Sequence, residues 1–105
     1  MTEIIEISWA AGSIDEARKV SRYLVQEKWI ASAKIIPWIE SIYLLDGQLE
    51  SEQESKVVFK ALKGNFEKIL KVIEQNSKYD IPEVLYKTIE GGSEAYLNWL
   101  KESSQ

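Results

Sequence analysis

Hydrophobic residues change their spacing along the chain and thereby mark out strands and helices. In residues 3–10 they recur at every second position, which predicts a strand. In residues 13–28 they recur every three or four positions behind Ser13, a residue suited to cap a helix, which predicts a helix. Similar spacing after Asn65, the predicted N-cap residue, marks a second helix, and residues 83–89 are predicted to form the last main strand.

The longest predicted strand runs over about residues 30–45 and dominates the middle of the chain. Asp46 and Gly47 are a strong hairpin signal because this turn type needs a positive φ, so a return strand is predicted at about residues 48–61. Pro37 has no N–H to donate to a neighbouring strand, which predicts a bulge or bend there. Each arm would span ~43 Å at roughly 3.3 Å per residue, far beyond a typical strand.

The predicted order is strand, helix, strand, strand, helix, strand, with a short additional helix after Ser93. Two split βαβ units with an intervening hairpin predict an α+β fold, the ferredoxin-like βαββαβ sandwich, in which a four-stranded antiparallel sheet carries its helices on one face. The chain length fits a single domain, which we expect to cover residues 1–105. The polar tail from Glu102 is expected to fray.

The long hairpin predicts that the protein self-associates. Apolar residues around its bend alternate onto both faces, with Ile36, Trp38 and Ile42 predicted on one face and Ile35, Ile39 and Tyr43 on the other. A strand that is apolar on both faces is normally buried on both, and two short helices cannot cover a ribbon of this length. A neighbouring subunit is therefore expected to cover the second face and the free edge of the hairpin.

Composition narrows the chemistry that these elements could carry. The chain has no cysteine and no histidine, so it lacks disulfides, thiolate metal ligands, the commonest metal ligand and the usual general base. A Ser-His-Asp nucleophile is excluded, and we expect a binding or regulatory protein rather than an enzyme. The 13 basic and 17 acidic residues give a net charge of -4 without a basic cluster, which argues against nucleic acid as a partner.

The hydropathy pattern also bears on location. No apolar run reaches the ~18 residues of a membrane span, and the first residues show no signal-peptide pattern. We therefore expect no membrane partner and a cytoplasmic location.

Three segments of the chain resemble the CutA family of divalent-ion tolerance proteins. Residues 31–47 hold I-I-P, E-S-I-Y and an acidic-Gly turn in the family's order, residues 79–83 read Y-D-I-P-E where the family has Y-E-V-P-E, and residues 95–100 are similar to its closing helix. The resemblance implies a ferredoxin-like homotrimer, related in architecture to PII signal proteins, with a role in divalent metal ion tolerance or response. It also implies clefts between subunits that gather the matching residues of this chain: Ser41, Tyr43, Lys60, Tyr79, Pro82 and Glu83.

Glu83 is the candidate metal ligand in the implied cleft. Many family members carry a Cys where this chain has Ser32 and a His where it has Ser77, so any cation held here is expected to have oxygen ligands rather than soft ones. The sequence establishes no cofactor. A divalent cation is the one cofactor that stays open. The preferred interpretation of Glu83 is nevertheless structural: an ion pair with a lysine of a neighbouring subunit, for example Lys60 of the partner subunit.

Glu50, Glu52 and Glu54 lie two positions apart and are predicted to share one face of the return strand. They could hold a hard cation, but a solvated charged edge that discourages aggregation is the preferred interpretation. Two further functions stay open. One is a PII-like sensor that binds a small anion or nucleotide in the clefts, and the other is a trimeric scaffold that anchors another protein through Trp38.

Overall fold

The structure, a computed structural model, describes residues 3–105. Its elements are β1 (Ile4–Ala11), α1 (Ile14–Gln26), β2 (Ser32–Leu45), β3 (Gln48–Leu62), α2 (Phe66–Asn76), β4 (Val84–Thr88) and α3 (Glu94–Ser103). They follow the predicted order, with bounds close to the predicted ones, so the α+β organisation is confirmed. No helix within the described range has both the length and the apolar character needed to cross a membrane.

The four strands form one sheet in the order β2-β3-β1-β4, and every pair of neighbours is antiparallel. Strands β1 and β3 therefore occupy the centre, while β2 and β4 each keep one free edge in the single chain. Helices α1 and α2 pack on one face of the sheet. This is the ferredoxin-like arrangement that the sequence predicts.

The core lies between the sheet and these two helices. Alternate side chains of the central strands meet the helices because successive residues of a strand point to opposite faces. The most deeply buried side chains are Ile5, Ile7, Trp9, Val57 and Phe59 from the strands and Val20, Leu24, Ile69 and Ile73 from the helices. The opposite face of the sheet has no helical cover from α1 or α2.

The start of α1 has the predicted cap. The N–H of Glu16 donates to Oγ of Ser13 over 3.1 Å. The Glu16 carboxylate accepts from two other backbone groups, the N–H of Gly12 at 3.1 Å and the N–H of Lys78 at 3.0 Å. Glu16 therefore connects the beginning of this helix to a loop that is distant in sequence.

Asn65 does not cap α2, and this part of the prediction is wrong. The backbone passes through a short 3-10 turn, Lys63–Asn65, and the Asn65 side chain makes no cap hydrogen bond. Its Nδ2 group donates instead to the carbonyl oxygen of Trp29 at 3.0 Å and lies 3.5 Å from Oγ of Ser104. Ser104 is only 2% exposed, so the tail that was expected to fray is held against this site.

Strands β2 and β3 have 14 and 15 residues and form the long hairpin that the sequence predicts. Asp46 and Gly47 make its turn at φ values of 51° and 79°, the left-handed region that this turn requires. The pairing register shifts between Ile36 and Ile39, which confirms the irregularity predicted at Pro37.

The bulge changes which side chains share a face of the hairpin. Ile36 lies opposite Lys56 and Ile39 lies opposite Glu54, and these partners are two positions apart on β3. Ile36 and Ile39 therefore lie on the same face. Strict alternation assigns them to opposite faces, and that prediction is wrong because the bulge adds one residue to β2.

Replacing Asn65 with Ala should lower the free energy of unfolding by about 0.5–1.5 kcal/mol, because the carbonyl of Trp29 loses the nearer of its two donors and keeps only Oγ of Ser104 at 3.3 Å. Asn76→Ala is the matched control, since the Nδ2 of Asn76 donates only to the Val72 carbonyl within its own helix, at 2.8 Å. Urea denaturation at one fixed protein concentration measures both losses. A loss for Asn65→Ala no larger than that for Asn76→Ala would contradict the role assigned to Asn65.

Candidate functional site

A cleft opens where the β2–β3 hairpin passes the loop of residues 77–83, which connects α2 to β4. Its volume is about 370 Å³. The residues that line it are Ala10, Ser41, Ile42, Tyr43, Glu54, Tyr79, Ile81 and Glu83. The structure thus brings together four of the six predicted site residues, while Pro82 and Lys60 are not among the lining residues.

Tyr79 joins the loop to the hairpin at the centre of this site. Its hydroxyl oxygen lies 2.7 Å from Oε2 of Glu52 and 2.8 Å from Oε2 of Glu54. A phenol has one proton to donate, so the hydroxyl serves two carboxylates that both compete for it. Burial raises the pKa of Tyr79 above its ordinary value, and the hydrogen bonds to Glu52 and Glu54 and the charges of the two carboxylates raise it further.

Tyr43 approaches the same carboxylate from within the hairpin. Its hydroxyl donates to Oε1 of Glu52 over 3.3 Å, so each oxygen of Glu52 has a phenol partner. Loss of hydration raises the pKa of Tyr43, and the neighbouring charge of Glu52 adds to this effect. Ser41 lies directly opposite Glu52 across the hairpin. The pair of strands therefore presents an acidic and aromatic surface to the loop.

Two of the three glutamates on β3 are not a solvated edge, and that interpretation is wrong for them. Glu54 is 9% exposed and Glu52 is half-buried, since Tyr79 packs over both carboxylates. The two-residue spacing does place them on one face, as predicted. Only the position of Tyr79, 25 residues beyond Glu54, makes them part of a site.

Lys60 lies elsewhere on the sheet in the single chain. Its Nζ is 3.1 Å from Oε1 of Glu6, and the Nζ of Lys87 lies 3.7 Å from the other oxygen of that carboxylate. The hydrogen bond from Lys60 holds the pKa of Glu6 below its ordinary value, although burial opposes this effect. The pairing of Glu83 with Lys60 of the partner subunit stays a prediction.

The carboxylates of the cleft do not form a complete metal site by themselves. Within residues 3–105, no three His, Cys, Asp or Glu side chains gather closely enough to hold a metal ion. Glu54 and Glu83 supply two carboxylates to one cleft. A hard cation such as Ca²⁺ takes about six to eight oxygen ligands, so a cation here would need water, backbone or a second chain to complete its shell.

Comparison with known proteins identifies the fold and the family together. The family described as CutA1 divalent ion tolerance protein matches residues 5–103. The chain belongs to this family. The family resemblance stated from the sequence motifs is therefore confirmed.

Relatives of the family cover the chain closely. The divalent-cation tolerance protein CutA of Thermus thermophilus is 30% identical over 104 residues, 99% of each chain. The chloroplastic protein CutA of Arabidopsis thaliana is 36% identical over 91 residues, or 87% of this chain, and the chain spans only 50% of that protein. A chloroplastic CutA 1 of Oryza sativa is 30% identical, and this chain spans only 51% of its length. The chain thus spans about half the length of these plant relatives.

Solved structures give the same result for the fold. The crystal structure of CutA1 from Oryza sativa superimposes with a TM-score of 0.93 at 27% identity, covering 98% of this chain and 94% of the other. The Thermus thermophilus protein superimposes with a TM-score of 0.87 at 30% identity over the full length of both chains. The name of the Thermus thermophilus protein describes tolerance of divalent cations rather than a reaction.

The raised pKa of Tyr79 predicts a specific loss of stability at high pH. The neutral phenol is favoured in the folded state, so its contribution is complete below the unfolded pKa of about 10 and is lost as the pH rises towards the higher folded value. Between about pH 9 and 11.5, the free energy of unfolding should fall more steeply for the wild type than for Tyr79→Phe.

Tyr23→Phe is the control for this measurement, because Tyr23 is 43% exposed on α1 and has no carboxylate partner among the described hydrogen bonds. Its pH profile should match that of the wild type. Parallel profiles for the wild type and Tyr79→Phe would contradict the role of the two glutamates in holding the phenol neutral.

Proposed function

We propose that the protein works as a homotrimer that binds a divalent cation in the cleft, in a binding or regulatory role without catalysis. The observation that carries the proposal is the lining of the cleft: Glu54 and Glu83 face it together with the phenols of Tyr43 and Tyr79. None of the described residues that line it is basic. Such a lining attracts cations, in keeping with the divalent-cation tolerance for which the relatives are named.

The exposed apolar residues of the hairpin support self-association. Leu44 and Leu49 are cross-strand partners near its tip, and they are 70% and 74% exposed in the single chain. Ile42 is 63% exposed further down the same strand. A contiguous apolar ribbon of this kind marks an interaction surface, and the free edges of β2 and β4 offer backbone groups for pairing with another copy.

The distribution of charge favours another copy of this chain as the partner. The pairing registers place four lysines on the sheet face opposite α1 and α2, with Glu6 among them as the partner of two: Lys34, Lys56, Lys60 and Lys87. The part of the hairpin beyond the bulge carries the glutamates Glu40, Glu50, Glu52 and Glu54. The acidic outer part of the hairpin from one subunit is complementary to the lysines on the sheet face of the next, which orients the subunits head to tail, as closure of a ring requires.

The same charges bear on the alternative functions. A small anion or nucleotide, as in a PII-like sensor, would meet the carboxylates of Glu54 and Glu83 and would need lysines from a second subunit. Trp38, 59% exposed at the bulge, favours a role as a protein-anchoring scaffold as the second candidate. A cytoplasmic location is part of the proposal, and the plant relatives are named as chloroplastic proteins.

Calorimetric titration of the assembled protein tests the cation proposal. Ca²⁺, Mg²⁺ or Mn²⁺ should bind through oxygen ligands, and Cu²⁺ should bind weakly because the chain has no Cys or His. Glu54→Gln and Glu83→Gln should each weaken binding by about tenfold or more, roughly 1.4 kcal/mol. Glu74→Gln, on the exposed surface of α2, should leave the affinity unchanged. Tight stoichiometric Cu²⁺ binding that survives Glu83→Gln would contradict the proposal, as would the absence of binding by all four cations.

A charge at the hairpin tip should separate the subunits. Leu44→Lys places an ammonium group on the apolar ribbon, which should disfavour its burial by a neighbouring copy and shift the assembly towards the monomer. Tyr23→Lys, on the exposed side of α1, should leave the assembly intact. Light scattering coupled to size exclusion measures both masses. An unchanged mass for Leu44→Lys would show that the tip is not an interface.

A further inference from the structure

We propose that Glu16, which does not line the cleft, is a positioning residue that fixes the loop of residues 77–83 and thereby the phenol of Tyr79. The loop supplies Tyr79, Ile81 and Glu83 to the cleft. The ligand-binding consequence of this role rests on the proposed function, whereas the role of Glu16 in placing Tyr79 does not.

The Glu16 carboxylate forms a two-point connection between distant parts of the backbone. Its Oε2 accepts from the N–H of Gly12 at 3.1 Å, and its Oε1 accepts from the N–H of Lys78 at 3.0 Å, 62 positions away in sequence. Both N–H groups lie outside helices and strands, so neither has a regular backbone partner. Hydrogen bonds to an ionised carboxylate are the stronger kind, and here one side chain makes two of them.

The loop depends on such connections because it has no regular secondary structure of its own. The N–H of Tyr79 donates to Oγ of Ser77 at 3.1 Å, which shapes the loop locally but does not attach it to the rest of the fold. At its far end, the N–H of Ala10 donates to the carbonyl oxygen of Glu83 at 3.2 Å. The two ends of the loop are therefore tied to the same region, the end of β1 and the turn into α1.

Gly12 has no side chain, and this leaves room for the Lys78 side chain to pack against its backbone. The Lys78 side chain lies so close over Gly12 that a Cβ at this position would overlap it. The Lys78 ammonium continues over the ring of Tyr79, 5.6 Å from its centre. Lys78 is thus held by its N–H to Glu16 and by its stem on Gly12, immediately before the residue whose hydroxyl meets Glu52 and Glu54.

A Glu16→Gln variant tests this role, because an amide keeps one acceptor oxygen but turns an N–H donor towards the other backbone N–H. The main readout is the pH profile of tyrosine ionisation, followed by absorbance near 295 nm in the folded protein. In the wild type, Tyr79 should stay neutral where ordinary tyrosines ionise. In Glu16→Gln one more tyrosine should ionise near pH 10, and Tyr79→Phe in the same background should remove that additional step.

Amide hydrogen exchange gives a second, local readout. The Lys78 N–H should exchange about tenfold faster or more in Glu16→Gln than in the wild type. Ser13→Ala is the matched control, since it removes the helix cap on the N–H of Glu16 but leaves the carboxylate in place. It should reduce stability without changing the tyrosine profile or the Lys78 exchange. Should Glu16→Gln fail to fold, Gly12→Ala displaces Lys78 from the other side and should change both readouts in the same direction.

The proposal is overturned if folded Glu16→Gln keeps the tyrosine ionisation profile and the Lys78 exchange rate of the wild type. Where Gly12→Ala is used in place of Glu16→Gln, the same result in Gly12→Ala overturns it. An equal change of both readouts in Ser13→Ala would also overturn it. A Mn²⁺ titration of the same proteins separates this result from the proposed function. If the wild type binds no Mn²⁺ while Glu16→Gln still releases Tyr79, the positioning role stands and only the binding of this cation fails. If the wild type binds Mn²⁺, Glu16→Gln should weaken that binding while Ser13→Ala retains it.

Discussion

The constraint on which this structure depends is that its central hairpin is longer than the layer of helices that could cover it. Strands β2 and β3 run for 14 and 15 residues, and the chain extends 46 Å along its longest axis. Near its base the hairpin packs on the core through Ala33, Ile35 and Val57. Beyond the bulge its apolar side chains stay largely exposed in the single chain, and the cross-strand pair Leu44 and Leu49 marks the far end. A second subunit is the physical solution that the charge pattern favours.

The cleft is a consequence of the same geometry. Because the hairpin projects past the end of β1, Glu52 and Glu54 lie beyond the central strands. The loop after α2 places the Tyr79 hydroxyl against both carboxylates. The loop can do so because Glu16 and Gly12 fasten it to the turn between β1 and α1. The site is thus assembled from three separate stretches of sequence. Its lining is acidic and aromatic, and that chemistry is the basis of the proposed cation binding.

The sequence predicted what local patterns determine and missed what depends on packing. The turn at Asp46 and Gly47 and the irregularity at Pro37 were predictable because φ requirements and a missing N–H are properties of single residues. The faces of β2 were misassigned because a bulge shifts the alternation of every side chain beyond it. The cap at Asn65 was wrongly predicted and the burial of Glu54 was missed for one shared reason: each side chain is satisfied by a group more than twenty positions away. No local spacing rule contains that information.

Sedimentation velocity over a wide range of concentrations, about 1 to 100 micromolar, tests the central claim most directly. A hairpin that needs a neighbour for its cover predicts one species with three times the chain mass of 12.1 kDa, persisting to the lowest concentration. A single species of 12.1 kDa at the highest concentration would contradict the claim, because the exposed ribbon would then be stable in water without any partner.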